Sequence, residues 1–493
     1  MPIIDLKPLF GGHAPMRWLS ARFGLATAAA FLADWLFLDD SPVGLSLALF
    51  LGAVGLMALV ANPVRAKGRA RMAASAVFLA GLLALVEDAG FLSVLVALAA
   101  TLFFAFTMTA SRDARWLDHL PRAWSLPFIG IVWLIGDVLR ARRLARGRGK
   151  PGLPAAPLAG WIVPTVLPVL FLSLFASANP LIGAWFGRFD GAAAGHLIFW
   201  MAIIILVWPL LHLRRAPRTA QASRAKAGGR TGSGPLFGDG AILRSLVVLN
   251  ALFALQTAMD MAYLWGGMPL PDGLSYAEYA HRGAYPLVAT ALLAAGFVLI
   301  AMRPGGPAER VRPIRPLVLG WVAQNILLVL SSILRLNLYV AAYSLTGLRL
   351  AAFLWMGLVV VGLILIIAQI ILRKPNSWLI DRNAGALALT LYAACLINFP
   401  LVVARYNVAH CADRQEAGPP LDQDYLRSLG PQAIPAIDAY ARMVPGRADD
   451  LLRVREDFAA RPVVQDWRAW SFRTWRLERY LATNPGDALP GRP

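Results

Sequence analysis

The chain has 493 residues; 58% of them are hydrophobic, 15% are charged, and the mean hydropathy is +0.59. Soluble domains carry about 25% charged residues, so this composition excludes an ordinary soluble protein. The formal net charge of +19 invites a nucleic-acid partner, but the basic residues cluster in short loops between apolar blocks. That distribution is typical of loops retained on the cytoplasmic side of a membrane, so no nucleic-acid partner is expected.

Long apolar blocks fill the first four fifths of the chain and predict membrane-spanning helices. Residues 43–61 and 351–372 hold no Asp, Glu, Lys or Arg, and each is long enough to cross a bilayer, which takes about 20 helical residues. The predicted fold class is all-α: a polytopic transmembrane helical bundle of about 11–12 helices with a small C-terminal helical domain. The blocks are 22–38, 43–61, 72–86, 89–110, 123–139, 157–178, 192–212, 245–266, 284–302, 317–334, 351–372 and 384–403.

The connecting loops predict how these helices are oriented. Basic loops are expected in the cytoplasm, and the strongly basic ones are 62–71, 140–150, 213–230 and 303–316. Block 123–139 breaks the alternation because basic residues flank it on both sides, and we interpret it as interfacial or re-entrant. This gives eleven crossings, with the N-terminus in the cytoplasm and the C-terminus outside. Twelve crossings, with the C-terminus inside, are the alternative.

Composition also divides the chain into four parts. A linker at 213–240, rich in Ala, Gly, Ser, Arg and Thr, separates an N-terminal transmembrane half at 1–212 from a C-terminal half at 241–403. Residues 404–493 carry frequent, nearly balanced charges and predict a small helical extramembrane domain. Its last helix is predicted to present one apolar face, formed by Trp467, Trp470, Leu477 and Leu481.

Asp260 is the first candidate for a functional site. An Asp inside a span costs about 2.5–3.5 kcal/mol on insertion scales, so it needs a partner. Gln256 and Tyr263 share the helix face of Asp260. Gln324 and Asn325 on a later span could be its polar partners. This polar stripe indicates either a substrate or proton site, or ordinary hydrogen bonding between helices, which contributes about 0.6 kcal/mol per pair.

A belt of Tyr and Arg on the predicted outer face is the second candidate. Arginines there could hold phosphate or carboxylate groups, although Tyr and Arg are also common at any membrane interface. The belt residues are Tyr276, Tyr279, Arg335, Tyr339, Tyr343, Arg349, Arg405, Tyr406 and Asn407.

The remaining polar residues predict neither a metal site nor a cofactor. Asp34 and Asp137 lie near block ends and are expected at the interface, and His212 next to a basic loop is expected to be solvated. His196 has no second ligand nearby in the sequence, and Cys395 and Cys411 are too few for a zinc site. No catalytic residue is predicted.

Four segments carry a resemblance to a known family: SYAEYAHRGAYPLV, RLNLYVAAYSLTGLRL, NFPLVVARYNV and DWRAWSFRTWR. They resemble a bacterial multi-pass family labelled domain of unknown function 4173. The resemblance covers roughly residues 160–480 and implies an integral cytoplasmic-membrane protein of a bacterium, without an established activity, cofactor or catalytic residue. In ANPLIGAWF, Asn179 stands where that family more usually has Asp.

Three functions follow as hypotheses. The first is a non-catalytic scaffold or sensor component of the cell envelope, with the C-terminal domain meeting a protein partner. The second is a transporter with its site at Asp260, and the third is a lipid-processing enzyme at the Tyr and Arg belt. The expected partners are the lipid bilayer itself and anionic headgroups at the cytoplasmic basic loops.

Overall fold

The computed structural model describes residues 16–37, 43–109, 120–145, 191–215, 239–266, 311–416, 418–445, 449–460 and 466–485. Every regular element in these ranges is a helix, which confirms the all-α class. Helices are expected where a chain crosses lipid, because each backbone polar group must then be satisfied within the segment. The predicted blocks 157–178 and 284–302 lie outside the described residues, so the full number of crossings stays a prediction.

The described helices are numbered here in chain order. Single turns of other helix types lie between them, at Leu210–Arg215, Met261–Trp265, Pro431–Ala433 and Trp467–Ala469. The α-helices are α1 Met16–Phe37, α2 Leu45–Ala61, α3 Gly68–Glu87, α4 Phe91–Thr109, α5 Leu120–Ala145, α6 Gly191–Val207, α7 Asp239–Asp260, α8 Ile314–Tyr343, α9 Gly347–Ile371, α10 Asn376–Leu396, α11 Phe399–His410, α12 Gln423–Ser428, α13 Ile434–Met443, α14 Asp449–Ala460 and α15 Phe472–Thr483.

Within the described ranges, five helices are long and apolar enough to cross a membrane, namely α3, α4, α7, α8 and α9. The pair α10 and α11 makes a sixth if its 71° bend lies within one span. That bend falls inside block 384–403, which the sequence predicted as a single helix. The break occurs because the Asn398 side chain accepts a hydrogen bond from the Leu401 amide (3.2 Å) and starts a new helix there.

The chain divides into two compact units, and the first comprises Met1–Gly228 and Val464–Phe472. Its core is lined by apolar side chains of α1 to α6 and of the segment that follows α6, where Trp208 is fully buried. Small residues bring α3 and α4 close together: a Cβ on Gly81 would stand 2.6 Å from that of Ala100. Such close approach is the usual way in which membrane helices gain packing energy.

The tail segment 466–470 packs in this first unit, at the beginning of α2. The Leu45 amide donates to the Trp470 carbonyl (2.9 Å), and the ring of Trp467 lies 5.6 Å from that of Trp35. Gly44 is required for this contact, because a Cβ there would stand 2.5 Å from the Ala469 carbonyl carbon.

This contact overturns the predicted continuous last helix. The helix α15 begins only at Phe472, and Trp467 and Trp470 belong to a separate turn whose end is extended. They therefore do not share a helix face with Leu477, which is buried in α15. The break arises because the carbonyl of Trp470 is used by α2 instead of by the next helical turn.

The second unit comprises Gly229–Val463 and Arg473–Pro493. Its helices α7, α8 and α9 pack around Trp321 and Leu363, and its tail helices surround Ile437 and Tyr440. The tail is also held by a buried ion pair in which Arg455 Nε lies 2.7 Å from Asp438 Oδ1. The division between the units falls within 213–240, and the predicted domain boundaries remain predictions.

Candidate functional site

The candidate site in the second unit is centred on Asp260, the last residue of α7. Asp260 is 1% exposed and forms an ion pair with Arg335, which projects from within α8 and is 5% exposed. The Gln256 amide, one turn earlier on α7, donates to the same carboxylate oxygen at 3.0 Å. The charge of Asp260 is thus compensated by a neighbouring helix rather than by a headgroup or water.

A π-helical turn follows this carboxylate directly. It covers Met261–Trp265, and the Trp265 indole donates to the Ser331 hydroxyl (3.2 Å), one turn before Arg335 on α8. The end of α7 is therefore attached to α8 by both an ion pair and a hydrogen bond. Single π-helical turns are rare and are found frequently at functional sites.

The structure does not bring Gln324 and Asn325 to Asp260. They lie about three helical turns before Arg335, or about 15 Å along α8 at 1.5 Å per residue. Gln324 donates to the Asn250 carbonyl (3.3 Å), and Asn325 donates to the Trp321 carbonyl in its own helix (2.8 Å). The expectation that Gln324 and Asn325 hydrogen-bond to Asp260 is therefore wrong. The side chain of Tyr263 lies outside those that the structure describes.

Sequence reasoning missed Arg335 as the partner of Asp260 because it ended the span too early. The apolar block ends at residue 334, which predicts that Arg335 lies in a loop of the outer belt. In the structure α8 continues to Tyr343, so Arg335 lies two turns inside a helix. The signal that could have found it was complementary charge, since a buried Asp and a buried Arg each need a partner.

The belt residues Tyr339, Tyr343 and Arg349 form one cluster around the end of α8. The Arg349 guanidinium lies 4.4 Å from the centre of the Tyr339 ring and donates to the carbonyl of Tyr343 (2.6 Å) and to that of Ser344. A cation at this point stabilises the last carbonyls of the helix and its dipole. Arg349 therefore acts on the protein's own backbone.

Asn407 ties the loop between α8 and α9 to α11. Its side chain accepts from the Leu345 amide (2.7 Å) and donates to the Leu345 carbonyl (2.9 Å). Next to it, the Gly347 amide donates to the Tyr425 hydroxyl (2.9 Å) on α12. Of the other belt residues, Arg405 is exposed, Tyr406 stacks on His410, and Tyr276 and Tyr279 lie outside the described residues.

A second buried acidic group lies in the first unit. Asp137 on α5 and His212 after α6 are 1% and 0% exposed, and Asp137 Oδ2 lies 2.8 Å from His212 Nε2. The prediction that His212 is solvated is therefore wrong, because the turn at Leu210–Arg215 places His212 against Asp137 of α5. The interfacial depth of Asp137 stays a prediction. His196 lies 2.8 Å from Asp34 in a more exposed pair.

These long apolar helices, with charged residues buried between them, define a multi-pass membrane protein. The chain belongs to the family described as Domain of unknown function (DUF4153), which matches residues 73–440. The resemblance to family 4173 thus named a different family, although the expectation of a family without an assigned function holds. No curated protein and no solved structure matches the chain. The described residues contain no group of three or more His, Cys, Asp or Glu side chains placed to hold a metal ion.

Proposed function

We propose that the protein is a non-catalytic component of a bacterial cytoplasmic membrane, whose tail lies outside the cytoplasm and acts as a sensor or scaffold domain. In this proposal the tail meets a protein partner, the α8–α9 hairpin receives the signal, and the basic loops bind anionic lipid headgroups on the cytoplasmic side. The N-terminus lies in the cytoplasm. Three structural arguments support this orientation, and a separate observation supports the sensor role.

The first argument concerns the tail segment 466–470. It contacts α2 at Leu45, next to an acidic connection that contains Asp39 and Asp40. The opposite end of α2 leads into the basic loop at 62–71. Because short basic loops are retained in the cytoplasm, the end that carries the tail segment is assigned to the outside.

The second argument comes from the other unit and is independent of the first. Asn407 contacts the loop after α8, whereas Arg312 and Arg315 flank the beginning of α8. The side chain of Arg315 donates to the Ile370 carbonyl near the end of α9, so that end lies beside the basic residues. The tail therefore begins at the end of these helices that is remote from the basic cluster.

The third argument concerns α5 and supports eleven crossings. Asp137, near the end of α5, contacts His212, and Asn62 at the end of α2 donates to the same turn. The Met108 carbonyl, near the end of α4, accepts from the Arg65 amide just beyond Asn62. The helices α4 and α5 thus end on the same side of the unit, which favours an interfacial or re-entrant α5 over a simple crossing.

The observation that carries the sensor proposal is the pair of hydrogen bonds between Asn407 and Leu345. Leu345 joins α8 to α9, and α8 carries Arg335. A partner that moves the tail would therefore displace the hairpin whose first helix holds the buried charge of Asp260. This gives the tail a direct mechanical connection to the membrane part of the same unit.

The sidedness is tested by labelling introduced cysteines, since the native Cys395 and Cys411 are both buried. The Asp424 side chain is 92% exposed in the tail, and Arg69 is exposed in the basic loop after α2. In intact spheroplasts, a membrane-impermeant maleimide should label an Asp424→Cys variant, whereas an Arg69→Cys variant should react only after lysis. The reverse pattern would contradict the orientation.

The sensor role is tested by complementing a deletion strain under envelope stress, with its lipid composition followed in parallel. Asn407→Ala should accumulate in the membrane but fail to restore the wild-type response, because the tail is uncoupled from the hairpin. Asn383→Ala is the matched control, since its amide donates to the Leu379 carbonyl of its own helix (2.9 Å). If Asn407→Ala restores the response as well as Asn383→Ala does, the relay is wrong.

A transporter is the second candidate function, favoured by the π-helical turn beside Asp260, Gln256 and Arg335. Purified protein in proteoliposomes should then move a charged solute, and Gln256→Leu should reduce the flux while leaving the ion pair intact. The hypothesis of a lipid-processing enzyme has weaker support, because Arg335 and Arg349 both contact acceptors within the chain rather than being directed at a lipid substrate.

A further inference from the structure

Two buried tryptophan side chains shield the contact between Asp137 and His212 from water. The ring centre of His212 lies 4.9 Å from that of Trp208 and 6.3 Å from that of Trp133. These two tryptophans are 0% and 3% exposed. The carboxylate and the imidazole thus meet in an environment where an uncompensated charge is costly.

The protonation of the pair follows from its geometry. His212 Nδ1 lies 3.0 Å from the Trp208 carbonyl oxygen, and a carbonyl can only accept, so Nδ1 carries a hydrogen. Nε2 lies 2.8 Å from Asp137 Oδ2, a contact of ion-pair distance rather than an aligned hydrogen bond. Two lone pairs would repel at that separation, so one of the two groups carries a proton, either the imidazole in an ion pair or the carboxyl group in a neutral pair.

The surrounding charges allow this proton to leave. Release changes the charge of the pair from zero to minus one, and two cations are placed to compensate it. Arg140 Nη1 lies 3.5 Å from Asp137 Oδ1, and Arg22 on α1, whose guanidinium donates to the Ala61 carbonyl, is within electrostatic range of His212. The helices α2 and α4 also pack on this turn and contribute no titratable residue.

We propose that Asp137 and His212 form a proton-binding site, which holds one proton in its occupied state and releases it to the neighbouring aqueous phase. Arg22 and Arg140 stabilise the empty state. Because His212 lies in the turn after α6, with backbone angles outside the helical range (φ −129°, ψ 28°), occupancy sets how that turn is held against α5. The site is separate from the tail and hairpin of the proposed function, so either can fail alone.

The experiment is a pH titration of the full chain, labelled with ¹⁵N-histidine, in lipid nanodiscs. The signal of His212 is assigned by its disappearance in His212→Gln. In the wild type, its Nε2 should show a bound or shared proton that is lost in one step, with Nδ1 protonated throughout. In Asp137→Asn that step should vanish, because the amide donates to Nε2 and the imidazole stays neutral.

The pair between Asp34 and His196 provides the matched control. It has the same 2.8 Å contact distance but is much more exposed, at 26% and 46% for the two side chains. Asp34→Asn should leave the step at His212 unchanged. The proposal is overturned if His212 shows an unprotonated, non-bonded Nε2 at every pH, or if its step persists unchanged in Asp137→Asn. A folded Asp137→Asn sample, judged by its helical circular dichroism, is required for either conclusion.

Discussion

Two aspartates that are buried in the described helices meet partners of different chemistry. Asp260 in the second unit pairs with Arg335, which remains charged at every accessible pH. Asp137 in the first unit pairs with His212, which can give up its charge. The difference indicates that the pair of Asp260 and Arg335 is a fixed element of the fold. The pair of Asp137 and His212, in contrast, can exist in two states. Asp438, paired with Arg455, extends the comparison to a buried aspartate of the tail.

The largest effect is expected from Asp260→Asn. The substitution leaves Arg335 buried and unable to lose its proton, and breaking such a pair costs about 3–5 kcal/mol. Asp137→Asn, the matched substitution in the other unit, should cost far less because His212 can become neutral. The free energy of unfolding of both variants in detergent, measured by reversible denaturation, gives the comparison.

A compensating variant shows whether the charge itself is responsible. Asp260→Asn combined with Arg335→Gln removes both charges and should recover most of the loss, because neither side chain then carries an uncompensated charge. Equal costs for Asp260→Asn and Asp137→Asn would remove the distinction between a fixed and a titratable pair.

The next largest effect is expected from Asp438→Asn in the tail. Arg455 also donates to the Asn484 carbonyl (2.7 Å), so it keeps one partner, and the loss is that of a charged hydrogen bond, about 1.5–3 kcal/mol. Limited proteolysis in detergent should cut the variant tail faster than the wild type. Asp424→Asn is the control: its contact with Arg427 is exposed and contributes at most about 1 kcal/mol. Equal cutting rates for the two variants would contradict this expectation.

The sequence predicted the helices well wherever the bilayer itself imposes the structure. The uncharged block 351–372 corresponds to α9, Gly347–Ile371, because an apolar segment in lipid has few alternatives to a helix. The start of α9 is also determined by residues that are close in sequence, since the Thr346 side chain accepts a hydrogen bond from the Arg349 amide. Such features depend on neighbours in sequence and can be read from it.

The contacts of the candidate site could not be read in this way, because they join distant segments. Asp260 and Arg335 are 75 positions apart, and the polar stripe alone does not tell which of several polar residues will meet it. Charge complementarity would have selected Arg335 over Gln324, had the length of α8 been known. The break before α15 depends on a hydrogen bond to Leu45, which no local pattern near Trp470 indicates.

A smaller effect, about 1 kcal/mol, is expected from Asp137→Asn. The amide keeps one donor toward His212 Nε2, so the contact survives while the exchangeable proton is lost. The stability of the variant should also vary less with pH than that of the wild type, because the variant pair no longer titrates. Thermal unfolding at several pH values checks this. A loss as large as that of Asp260→Asn would place the two pairs in the same class.

The smallest effect is expected from Tyr480→Phe, which tests how Asp438 is shared between two donors. The Tyr480 hydroxyl donates to Asp438 Oδ2 at 3.0 Å, and its removal should cost about 0.5–1.5 kcal/mol because Arg455 remains.

The effect of Tyr480→Phe should also depend on pH. Burial, and then the charge of Asp438, raise the pKa of Tyr480 above its ordinary value, because both disfavour the phenolate. The contribution of Tyr480 to the stability of the tail is therefore constant at neutral pH, begins to fall near pH about 10, where the unfolded chain ionises, and is lost as the pH passes the raised pKa. Tail proteolysis of the wild type and Tyr480→Phe across this range should converge as the pH rises, and a difference that grows with pH would show that the phenolate is tolerated beside Asp438.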